Sequence, residues 1–171
     1  MSRWTLDQLT TTQVPNTSNT PNAAQKANLA KLVSGTLEPL YEKVGPFKIE
    51  SAFRSEPVNR AVGGGQYSNH LAGLAADLAP AGGAKPFAAR ILADPALRAL
   101  CGEIIVNSDR IVHISAPTKV YAPKYRSPSG SYVPFTNEEL QAFIKQYAPA
   151  AVVGVSAFAL IGLGYVFLKG G

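Results

Sequence analysis

Only two histidines occur in this chain, and each sits in a short string that looks built around it: Ser68-Asn69-His70-Leu71-Ala72-Gly73-Leu74-Ala75-Ala76-Asp77 and Ile111-Val112-His113-Ile114-Ser115. Imidazole nitrogen and carboxylate oxygen are borderline-hard donors that suit Zn²⁺. Three protein ligands with a fourth position open to water make a catalytic zinc, whereas a structural zinc closes all four. The strings therefore read as a zinc site, with His70, Asp77 and His113 as metal ligands and zinc as cofactor. The apolar flanks of Asp77 support this, since an unpaired buried carboxylate is costly unless a cation lies beside it.

Such ligands need a scaffold, and 171 residues suffice for one domain with a real core. Ala23 to Tyr41 carries apolar residues at helical spacing, and Pro39 with Gly45-Pro46 should end that helix. Phe47 to Phe53 alternates as a half-buried strand would, and Arg54 follows at its exit, a natural position for a functional side chain. Gly63-Gly64-Gly65 supplies a turn that presents Ser68 to His70, and it lacks the lysine and hydroxyl of a phosphate cradle. Leu74 to Leu78 reads as a strand whose Asp77 must point into the site. Pro86 to Leu92 reads as a helix that Ala96 to Leu100 continues. Glu103 to Val106 and Arg110 to Ile114 make two further strands, the last with Ile111 and His113 on one face. The pattern is α+β.

Several of these strings agree in order and spacing with a known family. Ser51-Ala52-Phe53-Arg54-Ser55, Val58-Asn59-Arg60-Ala61-Val62-Gly63-Gly64, the string from Ser68 to Asp77, and Val112-His113-Ile114-Ser115 resemble the zinc D-Ala-D-Ala carboxypeptidase and phage endolysin family over about Leu6 to Ser115. The resemblance implies a small α+β metallopeptidase fold with a mainly antiparallel sheet and flanking helices, related to lysostaphin and hedgehog-type zinc domains. It implies cleavage of peptide bonds in the peptidoglycan stem or cross-bridge. His70, Asp77 and His113 match the family's zinc ligands. Arg54 matches the arginine of its Ser-x-x-Arg motif, which holds substrate or polarises the scissile carbonyl, and Ser51 and Ser68 match supporting positions.

One departure bears on catalysis. The family carries an acidic residue shortly before the second histidine, and the alignment puts Asn107 there, which cannot accept a proton in this pH range. Asp109 in the Ser108-Asp109 turn is the nearby candidate to replace it, and Glu103 is a more distant one. Arg54 and Asp109 are thus the candidate catalytic residues. An active peptidase and a weakened or inactive zinc domain with a structural or wall-binding role both stay open.

The net charge of +5 favours an anionic partner. Basic residues are scattered and no nucleic-acid-binding signature accompanies them, so no specific nucleic acid is expected. Cys101 is single and flanked by apolar residues, the setting of a buried small hydrophobe. No signal-peptide pattern opens the chain. From Ala148 to Leu168 there is no Asp, Glu, Lys, Arg or His, a stretch long enough for a transmembrane helix. The expected organisation is a peptidase-like domain over 1–116 with a polar N-terminal segment, a Pro, Ser and Tyr-rich connector over 117–135, and a helix from Thr136 leading into an anchor at about 148–168. The implied setting is a membrane, either a phage virion membrane or a bacterial envelope, with a peptidoglycan peptide, the bilayer, and virion or envelope proteins as partners.

Overall fold

The computed structural model describes residues 2–148. Helix α1 (Leu6–Thr10) starts at a capping box of Thr5 and Gln8, and α2 (Ala23–Leu32) at one of Asn22 and Gln25, each satisfying two backbone N–H groups that a helix start leaves unpaired. The expected helix from Ala23 continues past Pro39. It passes through a π-helical turn, Val33–Leu37, into α3 (Glu38–Lys43). In that widened turn the N–H of Glu38 reaches back five residues to the Val33 carbonyl, and the wider turn makes room for the Pro39 ring, which in an α-helix clashes with the carbonyl four residues back. The Thr36 hydroxyl, fully buried there, donates to the Leu100 carbonyl at 2.9 Å.

Six strands form one sheet: β1 (Phe47–Ser51), β2 (Ala75–Pro80), β3 (Ile104–Val106), β4 (Val112–Ser115), β5 (Lys124–Arg126) and β6 (Tyr132–Pro134), in the order β1-β2-β4-β3-β5-β6. All neighbours are antiparallel except β3 and β5. Between β1 and β2 lies α4 (Glu56–Ala61); α5 (Ala84–Ala93) and the short α6 (Pro95–Arg98) precede β3, and α7 (Asn137–Tyr147) follows β6. The α+β reading with a mainly antiparallel sheet therefore stands.

Register explains which residues meet. Ser51 pairs with Asp77, Asp77 with His113, His113 with Ile105, and Ile105 with Lys124, so one row crosses the sheet on a single face. A bulge between Ile49 and Ser51 brings Ser51 into that row. The adjacent row, Leu78, Val112 and Val106, faces the opposite way into a core with Ile91, Ile104, Ile114 and Leu40. One face of the sheet is core and the other carries the polar chemistry.

The stretch expected as a connector contains two strands. Each is only three residues long and rich in Tyr, Lys and Pro, so neither shows hydrophobic alternation long enough to read. Helix α7 is packed on the domain through Phe143, which is buried and meets Phe135 and Tyr147. Its expected N-cap, Thr136, forms a capping box with Glu139, and Ala148 leaves the helix in an extended conformation. Among the described residues no helix is long and apolar enough to cross a membrane. The expected bilayer segment lies, apart from Ala148, outside the described residues.

Candidate metal centre and cleft

His70 stands on the loop between α4 and β2, and its presentation is fixed at both ends. The Ser68 hydroxyl accepts from the His70 N–H at 3.3 Å, and the His70 carbonyl accepts from the N–H groups of Arg54 and Gly73, each at 3.1 Å. Gly73 has φ of +72°, and a Cβ there would lie 2.8 Å from the Gln25 carbonyl oxygen, so only glycine closes this loop onto α2. The His70 ring is buried, with Nδ1 2.5 Å from the Ala52 carbonyl oxygen. A carbonyl can only accept, so Nδ1 carries the proton and the Nε2 lone pair faces the cluster.

Three donor atoms converge. His70 Nε2 lies 3.2 Å from His113 Nδ1 and 3.3 Å from Asp77 Oδ1, and His113 Nδ1 lies 2.9 Å from Asp77 Oδ1. Tetrahedral zinc bonds of about 2.0–2.1 Å put ligand atoms roughly 3.3 Å apart, so the spacing and the donor set fit that ion. These three residues are the group that could hold a metal ion among the described residues.

Each ligand is held from behind by a partner on its other polar atom, the arrangement that orients metal ligands. Asp77 Oδ2 accepts from the Arg54 guanidinium, whose Nε donates to Ser51 Oγ at 2.9 Å. His113 Nε2 lies 3.5 Å from Glu103 Oε2, and Glu103 Oε1 accepts from Lys124 Nζ at 3.0 Å. Burial pushes the His70 pKa down, outweighing Asp77. Burial would also lower His113, yet its hydrogen bonds to Asp77 and Glu103 carry it above the ordinary value. Burial would raise Asp77, but hydrogen bonds to both histidines hold it well below the usual carboxylate range. The His113 hydrogen bond, helped by Lys124, draws Glu103 down to about 2.

The cluster lies in a cleft of about 770 Å³. The loop Gly63 to Asn69 lines it, as do Tyr121, Lys124, Arg126 and Tyr132 and, beside His113, Glu103 and Asn107. The structure thus brings together His70, Asp77, His113 and Arg54, but not Asp109. The Asp109 side chain is 86 % exposed, ion-paired with Lys85 at 2.6 Å, and its carbonyl accepts from the Ala84 N–H at 2.9 Å. The turn after β3 ties it to the start of α5, away from the cleft. The alternation of side chains along a strand is the signal that separates the candidates: residues 103, 105 and 107 share the His113 face, and Glu103 is the acid among them. Lys124, Arg126 and Tyr132 were hidden in the stretch expected as a connector.

No curated protein matches the chain. The sequence model of the family described as Peptidase M15 matches residues 2–115, a span that holds His70, Asp77, His113, Arg54 and Glu103. The match covers well over half of the chain, which therefore belongs to the Peptidase M15 family of zinc metallopeptidases.

Proposed function

We propose that the protein hydrolyses peptide bonds of the peptidoglycan stem or cross-bridge. The observation that carries this reading is the convergence of His70 Nε2, His113 Nδ1 and Asp77 Oδ1 on the floor of a cleft that also holds a second carboxylate, Glu103. Zinc bound to those atoms would lower the pKa of a water toward about 7 and polarise a carbonyl. Arg54 aims the Asp77 carboxylate through Oδ2, and its guanidinium adds fixed positive charge where an oxyanion develops. Glu103 accepts the His113 Nε2–H, which turns the Nδ1 lone pair toward the cluster. As the cleft carboxylate outside the metal cluster, it is also the group to take the proton of the attacking water at a carboxylate oxygen and return it to the leaving amine.

A second reading has its own support. Asn107 stands in the cleft where the family carries an acid, and Glu103 is engaged by both His113 and Lys124. A carboxylate held near pKa 2 is a weak base. The alternative is a zinc-fold protein that grips wall peptides without cutting them.

Digestion of purified peptidoglycan by the zinc-loaded full chain separates the two. The peptidase reading expects newly released amines, a rate at least about a hundredfold lower for Glu103→Gln, and little change for Asp109→Ala. Stoichiometric zinc without amine release would establish the binding reading instead.

We propose further that the apolar stretch 148–168 anchors the domain in a bilayer, in a phage virion or a bacterial envelope, confining it to nearby wall. Its support is the absence of any Asp, Glu, Lys, Arg or His in that stretch. Vesicle flotation of the full chain, lost on truncation before Ala148, is the expected result; equal flotation would refute it.

A further inference from the structure

The cleft wall made by β5 and β6 lies outside the span matched by the family, and its charges are unequally committed. Of the charged groups lining the cleft, Arg54 is paired with Asp77 and Lys124 with Glu103. Arg126 is left over. Among the described residues no carboxylate lies within ion-pair distance of it, and its side chain is exposed at the rim.

The hairpin also sets the direction of this side chain. Lys124 and Arg126 lie two residues apart on β5, so they share the cleft face, and Tyr132 is the direct cross-strand partner of Arg126. The Tyr132 hydroxyl reaches Asn107 Oδ1 at 3.5 Å. Ser127 and Gly130 close the turn through Ser127 N–H to the Ser131 carbonyl at 2.8 Å and Gly130 N–H to the Ser127 carbonyl at 2.9 Å. Gly130 adopts φ of +88°, and its carbonyl accepts from Arg126 Nε at 3.3 Å. One edge of the guanidinium is thereby tied to its own turn, and the two terminal nitrogens are left for an outside acceptor. A planar fork of two N–H donors matches a carboxylate bidentately.

We propose that the β5–β6 hairpin is a carboxylate-reading wall of the cleft, in which Arg126 binds a carboxylate of the peptide that lies across the metal centre. The peptide's identity rests on the peptidase reading above; the carboxylate preference rests on the hairpin. Two sources share this chemistry: the free C-terminal carboxylate of a stem peptide, and a side-chain carboxylate farther along it.

The test uses the metal-free full chain, so that binding is read without turnover, and calorimetry with three synthetic stem peptides: free, amidated at the C-terminus, and amidated at the side-chain carboxylate. Arg126→Gln weakens binding of the free peptide roughly tenfold, and Arg126→Lys is intermediate. One amidated peptide binds the wild type and Arg126→Gln alike, and which one it is names the carboxylate. Unchanged melting temperatures of the variants exclude misfolding. Equal affinity of wild type and Arg126→Gln for the free peptide, equal weakening for all three peptides, or no binding to the wild type would each overturn the proposal. Amine release by the zinc-loaded wild type is measured separately, so failure of the peptidase reading is distinct from failure of the wall.

Discussion

The metal centre and the hairpin wall line one cleft but are built differently. Every metal-facing atom has a partner behind it: Ala52 behind His70, Arg54 behind Asp77, Glu103 behind His113. These partners come from segments far apart in sequence, so the geometry is over-determined by the fold. The hairpin is closed by bonds within its own turn, and Arg126 keeps its terminal nitrogens unused. The contrast assigns chemistry to the first region and selectivity to the second, because reacting groups need fixed positions and recognition needs available donors.

The largest effects should come from the ligands. His113→Ala or Asp77→Ala should weaken zinc binding by more than the roughly 10–100-fold typical of an outer partner, leaving purified protein without stoichiometric metal by elemental analysis. Glu103→Gln should stay within that 10–100-fold window for zinc while losing far more in turnover. Equal losses in both would reduce Glu103 to a support for His113 and weaken the contrast between its two proposed roles.

How far the sequence reached follows the same division. His70, Asp77, His113 and Arg54 lie in strings with recognisable spacing, and the strands around them alternate or run apolar long enough to read. Space separates Glu103 from Asp109 where sequence proximity does not: β3 and β4 register sets Glu103 beside His113, while the turn carries Asp109 to Lys85. The strands β5 and β6 escaped because each is three residues long and, unlike the equally short β3, carries no apolar run. Pro39 misled for a related reason, since a π-helical turn absorbs a proline that an ordinary helix would reject.

The pH dependence of metal binding probes the centre next. The His113 pKa is raised, so below that raised value the metal-free site holds a proton there that zinc must displace; the lowered His70 pKa favours the neutral ring. Zinc affinity should therefore fall as pH drops through the raised His113 value, by about tenfold per pH unit for one proton. Competition with a chromophoric chelator reads this directly, and a flat profile would contradict it. Gly73→Ala should have a smaller, structural effect. Its positive φ and the Gln25 carbonyl together cost about 1–2 kcal/mol of stability, seen as a lower melting temperature with the hairpin wall intact.

The smallest effect tests whether the two regions are one cooperative unit. Arg98 on α6 joins them: its guanidinium donates to the Cys101 and Tyr121 carbonyls, each at 2.6 Å, and the Tyr121 N–H returns to the Gly102 carbonyl at 3.0 Å. Cys101 lies under this seam, fully buried, and burial pushes its thiol up to about 12. Only the thiolate reacts with a disulfide reagent, so the native chain should be inert and should label one thiol in denaturant. Arg98→Ala removes both of these guanidinium bonds and a longer one to the Gly102 carbonyl at 3.4 Å, and should raise the native labelling rate about tenfold through local opening, with zinc content unchanged. A rate that stays at the wild-type value would mean that β3 and β4 protect Cys101 unaided, and that the hairpin wall moves independently of the metal centre.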